Sequence, residues 1–282
     1  MPFAKVNDVN LYYEIHGAAP VAATGPPLLV LNGLGGNLLE WMPFQVPAWS
    51  AAYRVILYEH RGTGRSSYVD EAFTTRTLAA DAVGLLNALE ISEPVHVLGP
   101  SHGGRIAQWV ALDYPERVRS LVLAATGPGQ IDPSFAPTRG IPLHVVEGMV
   151  EKGFERYMRE HLGGDFFFSP EFRQRHPEVV DEHVALYFKH PTPLRSYLRH
   201  TIARQTHQTL DRLHEIRAPT LVIVGEHDTA AIATGNHVAT SRVLAERIPN
   251  AELVLVKDAA HSFFQEAPEE ANVHVLEFLR RH

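Results

Sequence analysis

The pentapeptide Gly99-Pro100-Ser101-His102-Gly103 constrains this chain more than any other stretch of it. It follows the short strand-like run Val95 to Leu98 directly. It opens a segment, Arg105 to Tyr114, in which Ile106, Ala107, Val110 and Ala111 recur at helical spacing. A G-x-S-x-G pattern between a strand and a helix predicts a very tight turn that lifts the serine hydroxyl above the edge of a sheet. Side chains two positions either side of the serine would collide in such a turn, so Gly99 and Gly103 have none. Gly104 lets the helix lie close to a neighbouring strand. The helix N-terminus places backbone N–H groups and the positive end of the helix dipole beside the hydroxyl. Ser101 is therefore the candidate nucleophile.

The rest of the chain supplies the sheet that such a turn needs. Ala4 to Val6 and Val9 to His16 read as a hairpin around Asn7-Asp8. Leu28 to Leu31, Arg54 to Tyr58, Ser120 to Ala125 and Thr220 to Val224 are short apolar runs of the kind covered on both faces, and Glu252 to Val256 is a further strand. Thr77 to Leu89 places Leu78, Ala82, Leu85, Leu86 and Leu89 on one helical stripe. Helices are also expected over about His237 to Ile248 and Pro268 to Arg281. This alternation predicts an α/β fold, a mostly parallel sheet with helices on both faces. It stops at Gly127. From there to about Ala218 only loop and helix are expected, the helices over Pro142 to His161, Pro170 to Lys189 and Pro193 to Ile216. Residues 127–218 thus read as a helical lid inserted into one core of residues 1–126 and 219–282, an organisation that suits a chain of 282 residues.

A serine hydroxyl is a poor nucleophile until a base removes its proton, and the base needs a carboxylate behind it. Seventeen histidines compete for the role, so position decides. On a sheet of this kind the nucleophile, acid and base follow in that order along the chain, on loops at the carboxyl ends of the strands. Thr220 to Val224 runs into Gly225-Glu226-His227-Asp228, and Glu252 to Val256 runs into Lys257-Asp258-Ala259-Ala260-His261. Asp228 and His261 are the expected acid and base. Glu226 and Asp258 are the rival acids, the first too close to its strand and the second better read as a turn residue. Acyl transfer also needs donors for the developing oxyanion. One is expected at the backbone N–H of His102, after the nucleophile. The other is placed at Leu34, in the glycine-rich loop Asn32-Gly33-Leu34-Gly35-Gly36.

Composition narrows the function further. The chain has no cysteine, which excludes thiol nucleophiles, disulfides and thiolate metal sites. A net charge of −7 gives no electrostatic reason to bind nucleic acid. No apolar run approaches the ~20 residues of a membrane span, and the N-terminus lacks the pattern of a signal peptide. The expectation is a cytoplasmic protein, monomer or homodimer, whose partner is a small molecule, with no nucleic acid and no membrane.

Together these pieces resemble the α/β-hydrolase superfamily across the whole chain. The resemblance is carried by Leu31 to Gly36, by Glu59-His60-Arg61-Gly62-Thr63-Gly64-Arg65-Ser66, by Gly99 to Gly104, by Ala218 to Asp228 and by Ala260-His261. It implies an eight-stranded, mostly parallel sheet with an inserted lid, substrate bound between core and lid, and a Ser–His–Asp triad that works without a cofactor or metal. The chain is most similar to the lid-bearing group of 3-oxoadipate enol-lactonases, small carboxylesterases and meta-cleavage-product hydrolases. It departs from the family at Asn32-Gly33, where His-Gly is usual, so the hydrogen bonds that hold the oxyanion loop must differ. Glu59 stands where Asp is usual. The Gly-Pro-Gly-Ala run of the meta-cleavage group is absent, which argues against carbon–carbon hydrolysis.

The function implied is hydrolysis of carboxylic esters or lactones through an acyl-enzyme. Carbon–carbon hydrolysis or cofactor-free perhydrolysis on the same triad is the alternative, and a ligand receptor without turnover comes third. Gly33, Trp41 and Phe263 are placed at the substrate pocket, with Phe264 close by. Phe166-Phe167-Phe168, Phe135, Phe154, Tyr157, Tyr187, Phe188 and Tyr197 are aromatic residues of the insertion that either pack within it or line that pocket. His183, His190, His200, His207 and His214 crowd the same segment and read as packing or surface residues, since no metal-ligand spacing emerges among them.

Overall fold

The computed structural model describes residues 2–17, 26–131, 141, 143–229 and 236–282. Eight strands form one sheet: β1 (Phe3–Val6), β2 (Val9–His16), β3 (Leu28–Val30), β4 (Val55–Tyr58), β5 (Val95–Pro100), β6 (Val118–Ala124), β7 (Thr220–Gly225) and β8 (Ala251–Val256). Their order across the sheet is β1-β2-β4-β3-β5-β6-β7-β8. The β1–β2 and β2–β4 pairs are antiparallel and every other pair is parallel. This is the eight-stranded, mostly parallel sheet that the sequence implies.

The apolar runs have two faces, and the two halves of the core divide along them. Leu29, Leu31, Ile56, Val97, Leu121 and Val222 point to one side. There they meet α2 (Thr75–Ala88), α3 (His102–Asp113) and α9 (His237–Arg247), through residues such as Leu85, Ile106 and Leu244. Leu28, Val30, Leu57, Leu98, Val122 and Ile223 point to the other. There they meet α1 (Gln45–Trp49), α10 (Phe263–Glu266) and α11 (Pro268–Arg281), through Trp49, Phe263 and Phe278. Successive residues of a strand alternate faces, so an unbroken apolar run serves both layers. β4 spans Val55–Tyr58 with all four side chains buried. No helix among the described residues is long and apolar enough to cross a membrane.

Between β6 and β7 the described residues hold only helices and turns: α4 (Leu143–Lys152), α5 (Phe154–Leu162), α6 (Pro170–Arg175), α7 (Pro177–Lys189), α8 (Leu194–Gln205) and a 3-10 turn, Leu210–Glu215. The three long helices expected here are each broken in two, for local reasons. Gly153 has φ +78°, which ends α4 and starts α5. Pro177 has no N–H to continue α6 and instead occupies the first turn of α7, with His176 before it outside helical geometry. After α8 the chain leaves the helix at Thr206, and Thr209 N donates to Pro128 O at 2.8 Å, tying the segment back to the end of β6. Phe135, one of the aromatic candidates, lies outside the described residues.

Candidate active site

Ser101 occupies the turn where β5 becomes α3, with φ 51° and ψ −114°. A residue bearing a Cβ is strained there. The strain is held from both sides: Ser101 N donates to Ala124 O at 2.8 Å, and Thr126 Oγ1 donates to Ser101 O at 2.6 Å. The flanking glycines are required by contact. A Cβ on Gly99 would lie 2.3 Å from the Gly103 carbonyl, and one on Gly103 would lie 2.3 Å from Leu31 O. A Cβ on Gly104 would meet Thr126 Cγ2 at 2.5 Å, in the loop two residues beyond β6, so the close neighbour is that side chain and not a strand as expected.

Asp228 follows β7 and His261 follows β8. The two strands are neighbours, so their carboxyl ends lie side by side. His261 Nδ1 lies 2.7 Å from Asp228 Oδ2. The other carboxylate oxygen is also engaged: His237 Nδ1, in the first turn of α9, lies 3.0 Å from Asp228 Oδ1. Burial alone would raise the pKa of Asp228. The His261 and His237 imidazoles outweigh that and hold the carboxyl well below its ordinary value of 3.8. An ionised carboxylate only accepts hydrogen bonds, so each Nδ1 carries the proton and each Nε2 is the basic nitrogen. Burial pushes His237 down to about 4, so it is neutral at pH 7. Sequence reasoning missed His237, which it took only as the start of a helix, since nothing in the local sequence points its ring at Asp228.

Ser101 and His261 line one cavity of about 640 Å³ between the carboxyl edge of the sheet and the helical insertion. Gly33, Leu34 and Trp41 line it from the core side. The Leu34 N–H has no partner among the described residues, and His102 N–H, at the start of α3, has no carbonyl one turn earlier in its own helix. Phe166 and Phe167 close the insertion side, with ring centroids 4.7 and 5.5 Å from that of His261. The placement of Phe263 at the pocket is corrected. It is fully buried under the site in the core beside Phe278, and its neighbour Phe264 faces the cavity instead. A period of one helical step decides which of two adjacent phenylalanines turns inward.

The family model for the alpha/beta hydrolase fold matches residues 26–268. This chain belongs to that family. The enzyme is similar to the enol-lactonase from Burkholderia xenovorans LB400, with a TM-score of 0.83 and 28% identity, covering 99% of this chain and 100% of that one. It is 31% identical over 265 residues to the poly(3-hydroxyalkanoate) depolymerase of Ectopseudomonas oleovorans, covering 90% of this chain and 84% of that protein. It is 32% identical over 281 residues to a protein of Azorhizobium caulinodans named "Putative carbamate hydrolase RutD", covering 99% of this chain and 98% of that one.

Where this hydrolase departs from the family pattern, its own bonds explain how the loop is held. Asn32 is buried. Its Nδ2 donates to Tyr58 O at 2.7 Å, and its Oδ1 accepts from Trp41 Nε1 at 2.8 Å. His60 Nε2 lies 3.1 Å from Asn32 O, and burial keeps that imidazole neutral by lowering it to about 4. Trp41 therefore has two tasks, since it lines the cavity and braces the loop that carries Leu34. Glu59 is buried and accepts from the Arg65 backbone N–H at 2.5 Å and from its guanidinium at 2.6 Å, a structural role.

The rival acids lie elsewhere. Asp258 is exposed, in a left-handed turn position with φ 55°, and its carboxylate lies 3.7 Å from His227, not from His261. Glu226 is exposed beside it. Among the insertion histidines, His200 joins insertion to core, through His102 at 3.2 Å and Arg61 O at 2.9 Å. His207 bridges Thr75 and Thr209. His183 lines the cavity, and His190 and His214 lie nearer solvent. Phe168 is buried against Phe172, whereas Tyr157, Tyr187 and Tyr197 reach the cavity. The donor atoms of Asp228, His237 and His261 lie within 4.8 Å of one another, close enough for a metal, yet their contacts are already satisfied as carboxylate–imidazole hydrogen bonds.

Proposed function

We propose that the enzyme hydrolyses carboxylic esters or lactones of small molecules through an acyl-enzyme on Ser101. The observation that carries this reading is the 2.7 Å bond from His261 Nδ1 to a buried, ionised Asp228, with His261 and Ser101 facing the same cavity. His261 Nε2 takes the proton as Ser101 Oγ attacks the substrate carbonyl. Asp228 holds the ring in the tautomer that leaves Nε2 free and stabilises the imidazolium that forms. The backbone N–H groups of Leu34 and His102 receive the oxyanion. His261 then passes its proton to the leaving alkoxide, and a water admitted to the cavity repeats the sequence to release the acid. Gly33 and Trp41 lie against the acyl group.

A burst of p-nitrophenol from p-nitrophenyl acetate, and inactivation by a fluorophosphonate with adduct mass on Ser101, test the reading. Ser101→Ala is expected to lose at least ~10⁴-fold in kcat/KM. Undiminished turnover in that variant refutes it.

A further inference from the structure

Among the described residues, the cavity wall holds a cation with nothing to pair with. Arg204, in the last turn of α8, is the only lysine or arginine among the described residues that line it. Two other interior arginines are matched by carboxylates. Arg61 makes a two-bond contact with Asp81 at 2.6 and 2.7 Å, and Arg65 is held by Glu59 at 2.6 Å. The Arg204 guanidinium has no hydrogen bond or ion pair among the described residues. Burial is the larger influence on its charge, and the cavity-lining Tyr197 and Tyr157 oppose it. Burial pulls its pKa down from the ordinary 12.5, yet an arginine side chain stays charged.

A second observation points the same way. Gln205, the next residue, also lines the cavity, and both its Nε2 and its Oε1 are buried without a partner. Buried polar groups in proteins are nearly always satisfied. The guanidinium of Arg204 and the Nε2 amide of Gln205, neither with a partner among the described residues, form a donor set in one cavity wall that awaits an acceptor. The Glu40 carboxyl lines the same cavity but makes no hydrogen bond or ion pair with Arg204 among the described residues.

On the reading of the site as an ester hydrolase, we propose that Arg204, with Gln205, forms an anion subsite, and that the preferred substrates are esters or lactones carrying a carboxylate remote from the scissile carbonyl. A planar guanidinium matches a carboxylate with two parallel bonds. A single arginine in a chain of net charge −7 suits a monoanion and disfavours a phosphate dianion. The subsite lies on the insertion side of the cavity. The His161 ring stacks on Tyr157 and on Phe166, with centroids 5.8 and 5.6 Å away, and Phe166 in turn lies 4.7 Å from His261.

The test compares two activated esters of equal chain length, mono-p-nitrophenyl adipate and p-nitrophenyl hexanoate. The wild-type enzyme is expected to favour the adipate ester in kcat/KM. Arg204→Met is expected to lose ~10–100-fold on the adipate ester, mostly in KM, and to stay within ~3-fold on the hexanoate. Arg204→Lys is expected to restore part of the loss. Free adipate should also inhibit the wild-type enzyme more strongly than hexanoate, a measurement that needs no variant to fold. Equal losses on both esters in Arg204→Met, or equal inhibition by the two acids, overturn the subsite while hexanoate turnover dependent on Ser101 leaves the hydrolase reading intact. Turnover of neither ester, or turnover that survives Ser101→Ala, overturns both.

Discussion

The imidazole of His237 lies with its ring centroid 4.5 Å from that of His261, and both rings donate to the same carboxylate. Asp228 is thus fixed at both oxygens. His237→Phe keeps an aromatic ring against His261 but leaves Asp228 Oδ1 without its donor. The carboxylate remains ionised near neutral pH, so the bond to His261 survives in a looser setting. A fall of about 10-fold in kcat with little change in KM is expected, from misorientation of the base. A KM effect as large as the kcat effect would contradict this, because it would place His237 at the substrate. Asp228→Asn should lose far more, ~10⁴-fold, since it presents the wrong hydrogen-bonding partner to His261 Nδ1.

Trp41→Phe separates the brace from the wall. The phenyl ring still faces the cavity, but Asn32 Oδ1 loses the indole donor now at 2.8 Å. A buried acceptor left unsatisfied costs about 1–3 kcal/mol, and the loop bearing Leu34 loosens. Stability measured by urea unfolding should drop by that amount, and kcat on a neutral ester should fall ~10-fold while KM moves little. An unchanged urea midpoint would show that the indole N–H is not a support.

Much of this was legible in the chain. The turn at Ser101 was readable because steric exclusion leaves only glycine at positions 99 and 103, so the backbone geometry is written in residue type. The sheet was readable because its central strands are buried on both faces and need unbroken apolar runs. Asp228 and His261 followed from strand order. The helices of the insertion were less so. Their apolar stripes persist across Gly153 and Pro177, and only the backbone at those residues breaks them. The choice between Phe263 and Phe264 depended on a rotation of about one helical step. His237 and Arg204 were invisible in another sense. Their significance lies in what does or does not stand beside them, and sequence spacing carries no information on that.

Acid should destabilise this protein through its buried histidines. Burial lowers His60 and His183 to about 4, His200 to about 3 and His237 to about 4. In the unfolded chain each takes a proton near 6.5. Between about pH 6.5 and 4 the unfolded state therefore binds more protons than the folded one, and stability falls as pH falls. Each group contributes roughly 1–2 kcal/mol by pH 5, on the order of 5 kcal/mol together. Asp228, whose carboxyl is held down, adds a further loss only below about pH 4. Urea midpoints measured from pH 8 to 5 should decline steeply below 6.5; a flat profile would mean that these rings reach water.

Glu40 works in the opposite direction. It lines the cavity, its carboxyl packs so closely on Gly36 that a Cβ there would lie 2.7 Å from Oε1, and burial pushes its pKa up to about 7. The folded state holds this proton from about pH 4.5 up to about 7, whereas the unfolded state releases it near 4.5. Stability from this group is thus fully present below about pH 4.5 and lost as pH rises from there through 7, by an amount on the order of 2 kcal/mol once screening by cavity water is allowed for. Glu40→Gln, which fixes the neutral form, should therefore gain on the wild-type protein above pH 7 and match it at pH 5. The same titration puts a negative charge into the cavity. For an ester bearing a carboxylate, wild-type KM is expected to rise across pH 6 to 8 by a few-fold while that of Glu40→Gln stays level, and a neutral ester should show no such difference. If both enzymes show the same KM profile on the charged ester, Glu40 does not titrate in that window.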